Sequence, residues 1–404
     1  GSGVGWEDAG GGGGASDIDG LSDCLVEDNS VYLGNDPSGT TSTASYNVAV
    51  GTTALDAITT GDKNVAVGYD AGNAITTGET NVAIGYEALM TEESVDMTVA
   101  IGLSASKLQN GATKCTAVGE NTLANNITGV QNTSVGAKAG NQLTGGYNSS
   151  FGAYSYYSGT SGDFNTSIGA YAMNTAGARS YNTGVGTYAL SAVSTGGWNS
   201  SLGHQSLNNV TTGSYNVGVG YRTGRFTATD GDYNILIGSE TNLSADGGEK
   251  QIVMGNTVVG NGDSTFTFGD TTTDSAIAFG GTTITAPSDI RLKEDIQDEI
   301  VGLDFINELR PVTFRWKKAK DVPSELKAYS DSEERVMNGK YNHGFISQEI
   351  KELIDNNPDI KEGFDMWTED EADGRQRIGE SALIPMLVKS IQELTARIEE
   401  LEGE

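Results

Sequence analysis

The sequence is poor in the residue types on which several classes of functional site depend. Its 404 residues include two histidines, two cysteines and six prolines. His204 and His343 are too few for a histidine-rich metal centre, and Cys24 and Cys115 lie far apart without a CxxC pair. We therefore expect two free thiols, no metal site and no cofactor.

Basic residues and long apolar runs are also scarce. The chain carries 24 Lys and Arg against 54 Asp and Glu, a formal net charge of −30 that repels nucleic-acid phosphates and anionic lipids. No stretch approaches the roughly 18 apolar residues of a membrane-spanning helix. We expect neither nucleic-acid binding nor membrane insertion. Residues 1–29, which open GSGVGWEDAGGGGGASD, predict a flexible glycine-rich leader rather than a signal peptide.

The charged residues divide the chain near residue 287. Residues 1–287 hold 8 of the 24 basic and 26 of the 54 acidic residues, and the much shorter segment 288–404 holds the other 16 and 28. Such a shift in composition predicts a domain boundary between Pro287 and Ser288.

Glycine is abundant, with 56 residues, and it marks an internal repeat. A five-residue motif of the form NVAVG recurs every 17 residues, with slips to 16 and 18 and a shortening to 14 and 11 at the end. So long a register predicts a repeat architecture. The glycines that end the motifs are Gly34, Gly51, Gly68, Gly85, Gly102, Gly119, Gly136, Gly152, Gly169, Gly186, Gly203, Gly220, Gly238, Gly255, Gly269 and Gly280.

Each motif alternates as a short strand does and ends at a glycine suited to a corner. The residues between motifs predict a second strand and a turn, so that one repeat forms one coil. The recurrent Asn at the start of the motif predicts a ladder of side-chain amides. We predict a mainly β protein: a parallel β-roll or solenoid over 30–260 with Val, Ala, Ile and Ser inside, and a tapering β neck over 261–287.

A slim roll of this kind has too little inward surface for a full core and leaves one face apolar, so we expect a homotrimer. The repeat resembles the head repeat of trimeric autotransporter adhesins and the shafts of many phage tail fibres. The resemblance implies a trimeric, parallel, left-handed β-roll.

Residues 288–404 predict a small α+β domain. Ile296, Ile300, Leu303, Ile306 and Leu309 approximate helical spacing, PVTFRW (311–316) alternates as a strand, and HGFISQEIKELI (343–354) reads as a strand entering a helix. Residues 317–340 are predicted to form a loop. Within the predicted helix 382–402, apolar residues follow the a/d spacing of a coiled coil; a surface helix on its own domain is the alternative. These residues are Ile384, Leu387, Ile391, Leu394, Ile398 and Leu401.

The same segment resembles the intramolecular chaperone domain of phage tail spikes and fibres, first associated with endosialidases. The resemblance rests on SDIRLKEDI (288–296), LDFINELRPVTFRWK (303–317), HGFISQEI (343–350) and LIPMLVKSIQELTARIEELE (383–402). It implies an autoprocessing Ser–Lys peptidase that trimerises, templates folding of the shaft and is then cut away just before its serine. The implied catalytic residues are Ser288 and Lys293, and the implied cleavage site is the bond between Pro287 and Ser288.

The spacing suits this chemistry, because a serine hydroxyl needs an adjacent base and a lysine five residues on can fold back to it. Arg291 is a candidate either for a positive charge that lowers the pKa of the Lys293 amine or for a contact to the oxyanion. His343 matches the family's HGFIAQE stretch, although Ser347 stands where Ala is usual. Pro287 restricts the approach to the carbonyl. The alternative is structural: Ser288 is the N-cap of a helix with Asp289 in its first turn.

Together these features predict a viral tail fibre or spike, located on the virion and extracellular after synthesis in the host cytoplasm. Its expected partners are two identical chains, other tail proteins and a host-surface glycan or protein receptor. YSYYSG (154–159) and GGWNS (196–200) are candidate glycan contacts, and no enzyme activity toward an external substrate is expected of the shaft. The alternative function is a bacterial adhesin-like trimeric roll that retains a non-cleaving cap.

Overall fold

The computed structural model describes residues 24–403, except 176, 178, 179, 227, 228, 272 and 361–363. The chain divides into two compact units, 1–287 and 288–404. Most of the predicted leader lies outside the described residues. Its last part differs from the prediction, because Cys24–Glu27 forms a β-strand.

The first unit is a β-solenoid of about 14 turns of about 17 residues, which confirms the predicted fold class. A short 3-10 turn, Pro37–Gly39, precedes the regular coils. Its described strands are β1 Cys24–Glu27, β2 Ser30–Leu33, β3 Val48–Val50, β4 Val65–Val67, β5 Val82–Ile84, β6 Val99–Ile101, β7 Thr116–Val118, β8 Thr133–Val135, β9 Ser149–Phe151, β10 Thr166–Ile168, β11 Thr183–Val185, β12 Ser200–Leu202, β13 Val217–Val219, β14 Ile235–Ser239, β15 Ile252–Asn256, β16 Thr265–Asp270 and β17 Thr273–Ala278.

These strands form one sheet in which each coil lies on the next. From β2 to β16, every strand pairs in parallel with its successor, and the motif positions stay in register, as in Val48↔Val65 and Thr166↔Thr183. The two ends differ, because β1 pairs antiparallel with β2 and β16 pairs antiparallel with β17. The described sheet therefore begins and ends in a hairpin.

Within each three-residue strand, the small central residue points inward and its apolar neighbours point outward. Ala49 is fully buried, whereas Val48 and Val50 are 40% and 39% exposed. The predicted interior is therefore partly wrong: the motif's Ala, Ser or Gly lies inside, and its Val and Ile residues line the surface. Larger core residues such as Leu55 and Ile58 come from the turns between motifs.

The predicted second strand is absent from the described coils. After the glycine, the chain runs through tight turns in which non-glycine residues adopt left-handed backbone angles, such as Glu87 (φ 54°) and Leu89 (φ 52°). These turns bond to the equivalent residues one coil away, as Leu89 N–H does to Ala105 O at 2.9 Å. Inter-coil hydrogen bonds therefore continue where no strand is formed.

The predicted asparagine ladder is present. Asn64 is 1% exposed; its backbone N–H donates to Oδ1 of Asn47 at 2.8 Å, and its own Oδ1 accepts from the backbone N–H of Asn81 at 3.0 Å. Amide nitrogens of the ladder also donate to turn carbonyls, as Asn64 Nδ2 does to Gly78 O at 2.8 Å. Thr98 and Cys115 occupy this position in two coils.

The segment predicted as a tapering β neck contains β16 and β17, which form a hairpin, and a bridge from Ala276 to Thr285.

In the second unit, α1 (Leu303–Glu308), α2 (Ser347–Asn356) and α3 (Ile384–Glu402) pack around a small core. The core's most buried members are Val301, Phe305, Ile350, Met366, Leu383 and Met386. The unit also contains β18 (Val312–Phe314) paired with β19 (Asn342–Gly344), β20 (Trp367–Glu369) paired with β21 (Gln376–Ile378), and 3-10 turns at Ile290–Leu292, Ala319–Asp321 and Glu380–Leu383.

The strand and helix predicted over 343–354 are confirmed, as is the strand within 311–316. The helix predicted from Ile296 onward is shorter than expected. Ile296 and Ile300 are 64% and 62% exposed and precede α1, which begins at Leu303. No described helix is long and apolar enough to cross a membrane.

Candidate functional site

A single tight turn brings the side chains of Ser288 and Lys293 together. Asp289 caps the 3-10 turn Ile290–Leu292 by accepting a hydrogen bond from the Arg291 N–H at 2.9 Å. Lys293 ends the turn, and its N–H donates to Ile290 O at 3.2 Å. The capping role that the structural alternative gave to Ser288 belongs to Asp289, which leaves the serine hydroxyl available.

Lys293 Nζ lies 2.7 Å from Ser288 Oγ and donates a hydrogen bond to it. This is the separation that a nucleophile and its base require. Proton abstraction needs the neutral amine, with its lone pair facing the hydroxyl.

Arg291 is held by its neighbour rather than aimed at the dyad. Its guanidinium forms an ion pair with Asp289, with Nη2–Oδ2 at 2.5 Å. This pairing lowers the pKa of the Asp289 carboxyl and raises the pKa of Arg291. Both groups are exposed, so the pair adds little stability. It orients the turn, and an oxyanion role for Arg291 would require the pair to open.

The surroundings of the dyad are exposed to solvent in the single chain. Ser288 and Lys293 are both exposed, and the intervening Ile290 and Leu292 are 72% and 67% exposed. Burial disfavours a charged amine, and excluding water protects an acyl intermediate. Neither condition is met by this unit's own residues. The exposed apolar residues around the dyad were not singled out from the sequence, although Ile290 and Leu292 alternate with Arg291 and Lys293.

His343 lies in β19 opposite Thr313 of β18, and the hydrogen bond to its ring joins Nδ1 to Thr313 Oγ1 at 3.3 Å. The contact is within the small sheet, so the structure gives His343 a place in strand pairing. Its part in the chemistry stays a prediction.

The two cysteines are free thiols of the first unit. Cys115 is fully buried in the solenoid, where burial raises the pKa of its thiol, and Cys24 is a second free thiol. Among the described residues, no group of three His, Cys, Asp or Glu side chains is arranged to hold a metal ion.

Residues 288–357 match the family model described as chaperone of endosialidase. The match begins at Ser288, the first residue of the second unit, and includes Lys293, α1 and the strand containing His343. No curated protein and no solved structure matches the chain. Residues 288–357 of the second unit are therefore similar to the endosialidase chaperone family, and the solenoid lies outside the match.

Proposed function

We propose that this chain forms a homotrimeric tail fibre or spike whose C-terminal unit aligns three chains, templates the solenoid and then cuts the bond between Pro287 and Ser288. The observation that carries the proposal is the 2.7 Å contact between Lys293 Nζ and Ser288 Oγ at the first residue of the matched chaperone domain. A β-solenoid joined to such a domain fits a trimeric, fibre-like protein.

Helix α3 supports trimer formation because it has an exposed apolar face that is separate from the face packed on its own unit. One face contacts its own unit through buried Met386 and Ser390, and Glu393 accepts a hydrogen bond from the Leu303 N–H at 2.9 Å. The residues at coiled-coil spacing lie elsewhere and are 43% to 74% exposed. A surface helix would need only the first face, so the second face favours a coiled coil with other copies. Its members are Ile384, Leu387, Ile391, Leu394, Ile398 and Leu401.

The solenoid offers a second surface for identical chains. The residue before each motif glycine is apolar in every coil from Val50 to Phe268 and points outward. Exposed members include Phe151 (38%), Leu202 (53%) and Met254 (41%). A continuous apolar stripe of this length fits burial against other copies of the chain.

The proposed reaction is a single turnover. Lys293 takes the proton of the Ser288 hydroxyl as Oγ attacks the carbonyl carbon of Pro287. The bond from that carbon to the Ser288 nitrogen breaks, and the nitrogen receives the proton. Residues 1–287 and 288–404 of the same chain are then joined by an ester between the Pro287 carbonyl and Ser288 Oγ. Water then hydrolyses the ester to give the Pro287 carboxylate and the free Ser288 hydroxyl.

Packing by two other chains would cover Ile290 and Leu292, bury the amine of Lys293 and exclude water from the dyad. Cleavage would then follow assembly, which keeps the aligning domain attached for as long as it is needed. Near-identical coils make a one-coil slip between chains almost equal in energy, and long-range β pairing is slow. Alignment at one end removes the slip, and loss of the domain makes assembly irreversible.

The location on a virion, in contact with other tail proteins and a host-surface receptor, is proposed from the resemblance to tail fibres. The competing function is an adhesin-like roll that keeps its cap, and the exposed dyad of the single chain is compatible with it. The two functions differ in whether the chain is cut.

The test compares the parent protein with Ser288→Ala and Lys293→Ala by intact mass and by native oligomer mass, with Ser330→Ala and Lys340→Ala as exposed controls in the same unit. The parent and both controls should yield fragments 1–287 and 288–404. Both dyad variants should remain uncut and still form trimers. Cutting of Ser288→Ala at the parent rate would refute the dyad, and a parent that trimerises uncut would establish the retained cap.

A further inference from the structure

Six aromatic side chains stack in a row along the surface of the solenoid, one from each of six successive coils. Neighbouring ring centroids are 4.8 to 5.4 Å apart, and neighbouring planes are within 13° of parallel. At one ring per coil, the row is about 25 Å long. We call it the aromatic ladder; its members are Tyr147, Phe164, Tyr181, Trp198, Tyr215 and Tyr233.

The backbone does not require aromatic residues at these positions. Every ladder residue has a left-handed φ between 57° and 65°, a conformation that bulky residues rarely adopt. The equivalent positions in earlier coils have the same backbone and are occupied by Tyr46, Lys63, Thr80, Met97, Lys114 and Gln131. The backbone of the coil therefore accepts polar residues at this position. The run of six aromatic residues is explained by interactions of their side chains, not by backbone geometry.

The stacking leaves the rings accessible. Each ladder side chain is between 43% and 55% exposed. Aromatic planes in contact are about 3.5 Å apart, so a centroid spacing near 5 Å implies a sideways offset of roughly 3–4 Å per ring if the planes touch. An offset of this size uncovers a strip of each ring face, and the strips follow one another along the solenoid. A contiguous exposed aromatic surface of this kind is typical of a binding site.

A row of hydroxyl groups runs beside the ladder. Two residues after each of its first four members, the outward position at the start of the strand is Ser149, Thr166, Thr183 or Ser200. Their hydroxyls have no hydrogen-bond partner among the described residues. The same position is valine in coils such as those of Val65 and Val82, and threonine in the two coils before the ladder, at Thr116 and Thr133. Free hydroxyls and aromatic faces that occur together in four successive coils indicate a ligand with both apolar faces and hydroxyl groups.

We propose that the aromatic ladder and its hydroxyl row bind a neutral, linear polysaccharide that lies along the solenoid. The C–H bonds on the face of a sugar ring are attracted to the electron-rich faces of aromatic rings, and its hydroxyls pair with Ser and Thr hydroxyls. A ligand with a regular repeat suits a site repeated once per coil. The proposal rests on the proposed attachment function and names the class of receptor.

Charge decides between neutral and anionic glycans. Residues 1–287 carry 8 basic and 26 acidic residues, a net charge of −18. The ionisable residues directly preceding ladder members are Asp163 and Asp232, both acidic. An anionic polysaccharide would therefore be repelled.

The test uses affinity electrophoresis of the full chain in native gels containing hydroxyethyl cellulose, galactomannan or xyloglucan, with hyaluronan as the anionic comparison. The ladder variant is Tyr181→Ala with Trp198→Ala, and the hydroxyl variant is Thr183→Val with Ser200→Ala. The matched control is Tyr69→Ala with Tyr86→Ala, a stacked pair 5.3 Å apart and about half exposed, in coils that have valine at the hydroxyl position. Native mass measures the oligomer of each variant.

At least one neutral polysaccharide should retard the parent, and the ladder variant should bind it about tenfold or more weakly, as loss of central aromatic contacts usually does. The hydroxyl variant should bind it more weakly, Trp198→Tyr should retain binding, and the control should match the parent. The proposal is overturned if no neutral polysaccharide binds, if only hyaluronan binds, or if the control loses binding equally. Loss of the trimer in the ladder variant would also overturn it, by making the ladder a contact between copies. Trimer formation and cleavage of the parent are measured separately, so failure here leaves the proposed assembly function intact.

Discussion

The asparagine ladder allows a quantitative prediction at Asn182, which is 1% exposed. Its Oδ1 accepts hydrogen bonds from the backbone N–H of Asn199 at 3.0 Å and from Asn199 Nδ2 at 3.2 Å, and its Nδ2 donates to Gly196 O at 3.1 Å. Asn182→Ala removes all three bonds. The amide nitrogen of Asn199 keeps a bond to Gly213 O, but the Asn199 N–H and Gly196 O are left buried without partners.

An unpaired buried polar group costs about 1–3 kcal/mol, so the two groups together should cost about 2–6 kcal/mol per chain. Asn182→Thr should cost less, because Thr98 occupies the equivalent position in another coil and its Oγ1 accepts from the Cys115 N–H at 3.4 Å. Asn209→Ala is the control: it removes one exposed hydrogen bond, to Arg225 O, and should cost about 1 kcal/mol or less.

Amide hydrogen exchange, measured by mass spectrometry on the peptide 196–203, reports the loss of stability in the coil that contains Gly196 and Asn199. Exchange in Asn182→Ala should be faster than in the parent by roughly 30-fold or more, with Asn182→Thr intermediate and Asn209→Ala near the parent. A peptide around Val48–Val50 reports whether the change is local. If Asn182→Ala exchanges no faster than Asn209→Ala, the backbone bonds alone hold the coils together and the reasoning is refuted.

Three further predictions concern other parts of the chain. Ile391→Asp with Leu394→Asp places six charges in the seam of a trimer, each costing several kcal/mol if unpaired, and should abolish the trimer in native mass measurements; Gln392→Asp, on an exposed position outside the seam, should not. Gly186→Ala should lower the thermal midpoint by several degrees, because the new Cβ would lie 2.4 Å from Gly203 O at a φ of +131°, whereas Gly39→Ala meets nothing within 4 Å and should match the parent. Arg377 and Arg375 hold the pKa of the Asp370 carboxyl below its ordinary 3.8. Its contribution is therefore complete above pH 3.8 and lost as the pH falls through the lower folded value, so the urea midpoints of the parent and Asp370→Asn should differ near neutral pH and converge in acid; a constant difference would contradict the assignment.

The sequence was sufficient for the features that repeat. A 17-residue period with a fixed Asn and Gly requires equivalent residues to stack, so the parallel sheet and the amide ladder followed from it. The closeness of Ser288 and Lys293 was also foreseeable, because a spacing of five residues needs only one turn. In these cases the deciding interactions are local or are repeated many times.

The sequence was insufficient where neighbouring coils determine the backbone. Leu89 and Tyr181 adopt left-handed φ angles because coils on either side supply their hydrogen bonds and stacking, and no propensity of Leu or Tyr predicts this. The prediction of a second strand in each coil is wrong for the same reason. Ile296 and Ile300 failed as helix positions because apolar spacing alone does not show whether a segment packs against the core, and both side chains are exposed.

The hairpins at the two ends of the sheet have a consequence for how such a protein changes in evolution. In the part of the chain that the structure describes, the hairpin of β1 with β2 and that of β16 with β17 lie at the two ends of the stack, and the coils between them make almost the same contacts with either neighbour. Deleting or duplicating one 17-residue repeat therefore joins compatible surfaces. Each such event changes the length of the solenoid by about 4.8 Å and leaves both ends and the C-terminal unit unaltered. The length of the solenoid can consequently change by whole repeats without any change in the terminal hairpins.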